Sequence, residues 1–197
     1  GVSALHTELM KRTVFAGLNA LHPGRIVNQT NGVTPRRWLW GCNPGLRRLL
    51  NETIGDGWVT DLDRLKEIAP LADDAGFRAR FREAKRDNKL RLVEWLDRRH
   101  GMVVDPDALF DVQIKRLHEY KRQLLNILEA AALWNAIRRD PDGDWTPRVK
   151  IFGGKAAPGY EMAKQIIRLI NDIATTVNAD PAMRGRLQIV YPPNYNV

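Results

Sequence analysis

A chain of 197 residues with 44% hydrophobic and 27% charged positions can build one domain with a real core, or one and a half subdomains, and is not the composition of a disordered segment. Its formal net charge of +8 suits nucleic acid, a membrane surface or phosphorylated ligands as partners, or a basic piece of a larger, balanced protein. The single cysteine, Cys42, excludes an internal disulfide and a cysteine-built metal site and fits a reducing cytoplasm; no apolar run reaches the roughly 18 residues of a membrane span, and residues 1–10 lack a basic secretory n-region.

Leu5, Leu9, Val14, Leu18 and Leu21 share a helical period, so residues 5–21 are predicted as a helix closed by Pro23-Gly24. A short extended piece is expected at 25–27. The polar stretch Asn28-Gln29-Thr30-Asn31-Gly32-Val33-Thr34-Pro35 follows, with Thr34 as an N-cap and Pro35 in the first turn of a helix. Asn43-Pro44-Gly45 breaks the chain before a helical piece at 46–52. Residues 61–68 read as a short helix and 75–99 as a long one, with Phe77, Phe81, Ala84, Leu92 and Leu96 on its buried stripe and basic residues on the solvated face.

The pattern then changes. Residues 110–114, 149–152 and 187–191 read as strands. Between them lie a helix over about 119–139, with Leu124, Ile127, Leu128 and Ala131 inward, and one over 161–178, with Met162, Ile166, Leu169, Ile170 and Ile173 inward. The β-α-β-α-β alternation predicts an α/β fold: three parallel strands joined by right-handed crossovers, half of a Rossmann-like sheet preceded by a helical region. Ligands of such sheets bind beyond the C-terminal strand ends, here Lys115-Arg116, Gly153-Gly154-Lys155 and Pro192-Pro193-Asn194-Tyr195.

The densest chemical candidate is Lys115-Arg116-Leu117-His118-Glu119-Tyr120-Lys121-Arg122, placed where the first strand yields to a helix. A helix N-terminus attracts anions, and lysine and arginine beside it would close a phosphate site, the arginine bidentately. Basic residues in a first turn oppose the helix dipole, so stability alone does not favour them there. The Gly-rich Phe152–Tyr160 turn matches neither the dinucleotide fingerprint nor the P-loop, and the structural turn reading stands equally beside a binding one. In the 30–38 stretch, ordinary turn and cap signals are the stronger reading. His6, His22, His100 and His118 lack metal-ligand spacing, so no metal is expected. A basic polyanion- or nucleic-acid-binding module is the rival reading, carried only by charge; the aromatics of the long basic helix lie on its buried stripe instead of alternating with its cations.

Three stretches together, TNGVTPRRWLWGCNPGL, FDVQIKRLHEYKRQLLN and IFGGKAAPGYEMAKQII, resemble the α-glucan (glycogen, starch or maltodextrin) phosphorylases in wording, order and spacing, and the likeness runs over essentially the whole chain. The resemblance implies a GT-B-like enzyme of two α/β lobes, with residues 1–28 ending the first lobe, 29–108 forming the helical start of the second and 109–197 half of its Rossmann-like domain. It implies a glycosyltransferase in which inorganic phosphate cleaves a terminal α-1,4-glucosidic bond with retention to give glucose 1-phosphate, in the cytoplasm and as a homodimer, with α-glucan and phosphate as partners and no nucleic acid or membrane. It further implies Arg116 and Lys121 at the substrate phosphate as the catalytic pair, Asn31, Tyr120 and His118 at the glucosyl unit, and Lys115, Trp38 and Tyr195 around pyridoxal phosphate. The family's Schiff-base lysine lies in a Gly-rich motif that has no counterpart up to Val197. The chain is therefore expected to be an interior segment, inactive by itself. Asn196 stands where some relatives have arginine.

Overall fold

The structure is a computed structural model and describes residues 1–30 and 32–195. It divides into two compact units, residues 1–85 and 86–197, and the division falls within one long helix.

The first unit is helical. The expected single helix over 5–21 is two, α1 (Ala4–Arg12) and α2 (Ala16–Leu21). They part at Thr13, whose backbone leaves the helical region at φ −119 and ψ −96; its hydroxyl donates to the Leu9 carbonyl at 2.7 Å. The apolar positions that suggested one stripe, Leu5, Val14 and Leu21 among them, are exposed. Residues 25–27 form no strand; the Gly1 ammonium donates to the Val27 carbonyl at 2.8 Å. Thr34 supplies its carbonyl, not its hydroxyl, accepting from the Trp38 N–H at 3.0 Å. Pro35 takes the capping position of a π-helical turn, Arg36–Gly41.

Helix α3 (Pro44–Ile54) starts as proline and asparagine dictate, with Pro44 in its first turn and the Asn43 side chain accepting from the Leu46 N–H. Trp58 is fully buried and donates to Asn51 Oδ1 at 3.0 Å, with Trp40 5.8 Å away. The helix expected at 61–68 is a longer 3-10 run, Leu62–Asp73, capped by Asp61 and containing Pro70.

Helix α4 (Ala75–His100) ends in the second unit. There the predicted sheet is present: β1 (Leu109–Ile114), β2 (Arg148–Gly153) and β3 (Leu187–Val190), all parallel, in the order β1-β2-β3. Two crossover helices, α5 (Gln123–Arg139) and α6 (Glu161–Ala179), join them. They share one sheet face, where Ile127, Ile137, Ile166, Ile170 and Val177 pack with Phe152, Leu187 and Ile189. On the other face Leu96 of α4 packs with Val104, Val149, Ile151 and Val190. Both faces of β2 are thus buried, as parallel sheets require.

Helix α5 buries only part of the face expected: Ile127 is inward, but Leu124 and Leu128 are not. Its buried positions are Gln123, Ile127, Ala130 and Ile137, while Leu124, Leu125 and Leu128 are exposed. The helical period holds, and Ile127 is buried as expected, but the inward stripe is rotated toward Gln123, Ala130 and Ile137, the side of α5 that packs on the sheet.

Candidate functional site

Beyond the C-terminal strand ends, the second unit gathers three loops. Lys115 continues the ladder, its N–H donating to the Gly153 carbonyl at 2.9 Å, and the Leu117 N–H reaches the Lys155 carbonyl at 3.1 Å. These bonds zip the loop after β1 to the loop after β2. Gly154 makes the approach possible: it has φ +153, and a Cβ there would lie 2.2 Å from the Lys115 carbonyl oxygen. Tyr191, directly after β3, donates its hydroxyl to the Gly154 carbonyl at 2.7 Å and joins the third loop to the other two. Burial pushes the Tyr191 phenol up to about 12.

The basic loop is not the first turn of a helix, as the sequence suggested. Residues 115–118 are extended or bent, Glu119–Lys121 forms one 3-10 turn, Arg122 is left-handed at φ 62, and only then does α5 start. Lys115 and Arg116 therefore lie well before the α5 N-terminus. Gln123, buried at the head of α5, donates to the Arg116 carbonyl at 3.2 Å and holds the loop from within. Leu117 pins the loop to the core.

Lys115 and Arg116 are exposed, and Lys121 is half-buried with its ammonium 5.6 Å from the Tyr120 ring centre. His118 packs between two aromatic rings, 4.3 Å from Tyr120 and 5.1 Å from Tyr160. Tyr160 bridges the loops by donating to Glu119 Oε2 at 2.6 Å while accepting from the Glu119 N–H at 3.2 Å; the carboxylate beside it raises the Tyr160 pKa. Tyr195 lines an apolar cavity of about 470 Å³ with Trp95, Ile114, Phe152 and Pro192.

Of the residues singled out from the sequence, Lys115, Arg116, His118, Tyr120 and Lys121 share one loop, and Tyr195 lies on the segment after β3. Trp38 belongs to the first unit, half exposed on the π-helical turn, with the Arg37 guanidinium 5.9 Å from its ring. Asn31 and Asn196 lie outside the described residues. Sequence reasoning missed Gln123 and Tyr191 and gave no role to Glu119 and Tyr160 within their stretches, although these four residues shape the loops. Their only signal was position: a polar side chain at the head of an amphipathic helix, and tyrosines flanking Gly- and Pro-rich turns. Among the described residues no His, Cys, Asp and Glu group could hold a metal ion, and no helix is long and apolar enough to cross a membrane.

A parallel sheet with helices on both faces and a cation-rich loop beyond its first strand makes this an α/β protein of half-Rossmann type. A family model described as "Carbohydrate phosphorylase" matches residues 1–197. Over all 197 residues the chain is 51% identical to "Glycogen phosphorylase" of Synechocystis sp. (strain ATCC 27184 / PCC 6803 / Kazusa) and 46% identical to "Glycogen phosphorylase, muscle form" of Homo sapiens and of Mus musculus. Each match covers 100% of this chain and 23% of the relative. The chain belongs to the carbohydrate phosphorylase family, and it spans about a quarter of the length of these relatives.

Proposed function

We propose that this chain is the part of an α-glucan phosphorylase that binds the attacking phosphate. The reaction is phosphorolysis: inorganic phosphate displaces the terminal α-1,4-linked glucosyl unit of a glucan with retention, giving glucose 1-phosphate. One observation carries the reading. A chain matched along its whole length by glycogen phosphorylases places Lys115, Arg116 and Lys121 on a single loop beyond a parallel strand, where α/β sheets bind ligands.

In this reading Arg116 holds the substrate phosphate through its planar, five-donor fork, and Lys121 adds a second, point-like charge. Tyr120 and His118 meet the glucosyl hydroxyls, with Asn31 as a further contact. Tyr160 and Glu119 keep the His118 ring in place. Within the second unit the residues also fit a phosphorylated aromatic cofactor: the exposed Lys115 ammonium suits a phosphate ester, and Tyr195, half-buried beside an apolar cavity, suits the flank of a ring; the role of Trp38 as a second aromatic contact rests on the family resemblance alone. Pyridoxal phosphate, when bound, supplies a phosphate group that exchanges a proton with the substrate phosphate. Two anions side by side require concentrated positive charge, which the loop provides.

The proposal extends to a two-lobed GT-B-like parent in which residues 1–28 end the first lobe and 29–108 and 109–197 belong to the second, working as a cytoplasmic homodimer. The test is an assay of the full-length enzyme with glycogen and inorganic phosphate. Phosphate-dependent release of glucose 1-phosphate is the expected result; folded, cofactor-loaded protein that releases none, or that instead binds DNA with a steep salt dependence, contradicts the proposal.

A further inference from the structure

Beneath the basic loop runs a line of polar side chains outside the set assigned to substrate or cofactor. It starts at Lys150 of β2, which is 2% exposed and faces α5. The Lys150 ammonium pairs with Asp111 at 2.6 Å and Glu129 at 2.5 Å and donates to Asn126 Oδ1 at 2.7 Å. Asn126, on α5, donates through Nδ2 to Gln113 Oε1 at 2.9 Å. Gln113, on β1, donates through Nε2 to the Lys121 carbonyl at 2.8 Å.

The polarity of this line is fixed at one end. An ammonium has donors and no acceptor, so it turns the Asn126 oxygen toward itself. That leaves the Asn126 nitrogen for the Gln113 oxygen, and the Gln113 nitrogen for Lys121. The other end meets a strained place. Arg122, next to Lys121, has φ 62 and ψ 31, a region that residues other than glycine sparsely occupy and that persists only where its surroundings enforce it. The Gln113–Lys121 bond holds the peptide that enters this turn, and the turn sets the direction from which the Lys121 side chain leaves the backbone.

We propose that Gln113 is a positioning residue for Lys121, oriented by Asn126 and by the buried charge of Lys150. The inference rests on the phosphorylase reading and deepens it: the buried line acts on phosphate through Lys121, with no contact of its own to substrate.

The test uses the full-length enzyme. Gln113→Leu keeps the volume and removes both hydrogen bonds. It should lower kcat/KM for inorganic phosphate by about fivefold to tenfold, the worth of one such bond, chiefly through a raised phosphate KM, with KM for glucan unchanged. Calorimetric binding of inorganic phosphate should weaken in parallel. Adding Arg122→Gly, which reaches φ 62 without steric cost, should restore most of the loss, a rescue that a general packing defect would not show. Where Gln113→Leu does not fold, Lys150→Met is the second variant and should shift phosphate KM in the same direction. Unchanged phosphate KM in the folded variant overturns the positioning role and leaves the phosphorylase reading standing. A wild-type enzyme that releases no glucose 1-phosphate overturns the reading, and this inference with it.

Discussion

Arg116 is the second residue beyond β1, its carbonyl held by Gln123 and its side chain exposed at the strand ends. A guanidinium there can orient and neutralise an attacking phosphate bidentately, which a flexible ammonium does less well. Arg116→Ala in the full-length enzyme should cut turnover by about 10²–10³, the range for losing one preorganised electrostatic contact, and Arg116→Lys should recover part of it. Arg184→Ala, at the opposite end of the strands, should leave turnover unchanged. Gly154 makes a different demand. Its φ of +153 and the 2.2 Å approach of the Lys115 carbonyl leave no room for a side chain, so Gly154→Ala should cost about 1–3 kcal/mol in a chemical-denaturation curve and shift the basic loop. Tyr191 offers a spectroscopic check. Burial favours its neutral form, so the stability it lends is present below the ordinary tyrosine pKa of about 10 and is lost as pH rises toward about 12. In an alkaline absorbance titration of the chain's 4 tyrosines, one should ionise near that upper value, and Tyr191→Phe should remove that step.

Among elements, β1 is the exposed edge of the sheet. Leu109, Val112 and Ile114 are 40–49% exposed along it, and Leu125 and Leu128 are exposed on the neighbouring α5. An unpaired apolar edge invites pairing with another chain. The 197-residue chain should therefore self-associate in sedimentation at high concentration, and Val112→Lys should shift it toward monomer; a clean wild-type monomer with a cooperative melt would refute this. The strands and α6 were legible in the sequence because their patterns are set by burial. On α6 the expected Ile166 and Ile170 are buried, whereas Met162, also expected inward, is 45% exposed; β2 buries Val149, Ile151 and Phe152 beside the paired Lys150. The basic loop was legible as charge but not as shape. Nothing local marks Arg122 for a left-handed conformation, and Gln113, Asn126 and Lys150 meet only when β1, α5 and β2 pack. The break at Thr13 was equally hidden: Thr53, Thr175 and Thr176 make the same hydroxyl bond to the carbonyl four residues back inside continuous helices, so the residue type marks no break.

On the scale of the molecule, the proposed phosphate-binding Arg116 is exposed and Lys121 only half-buried. Exposed charge pairs contribute little and are screened by salt. The chain alone should bind inorganic phosphate only at about millimolar concentration or above and should release no glucose 1-phosphate; the relatives it matches carry more than three times as much additional chain. The central claim, that Arg116 holds the attacking phosphate, is tested most directly by steady-state phosphorolysis with folded, cofactor-loaded Arg116→Ala full-length enzyme at varied inorganic phosphate. Turnover should fall by about 10²–10³ with the melting transition intact. Near-normal turnover with an unchanged KM for phosphate would contradict it.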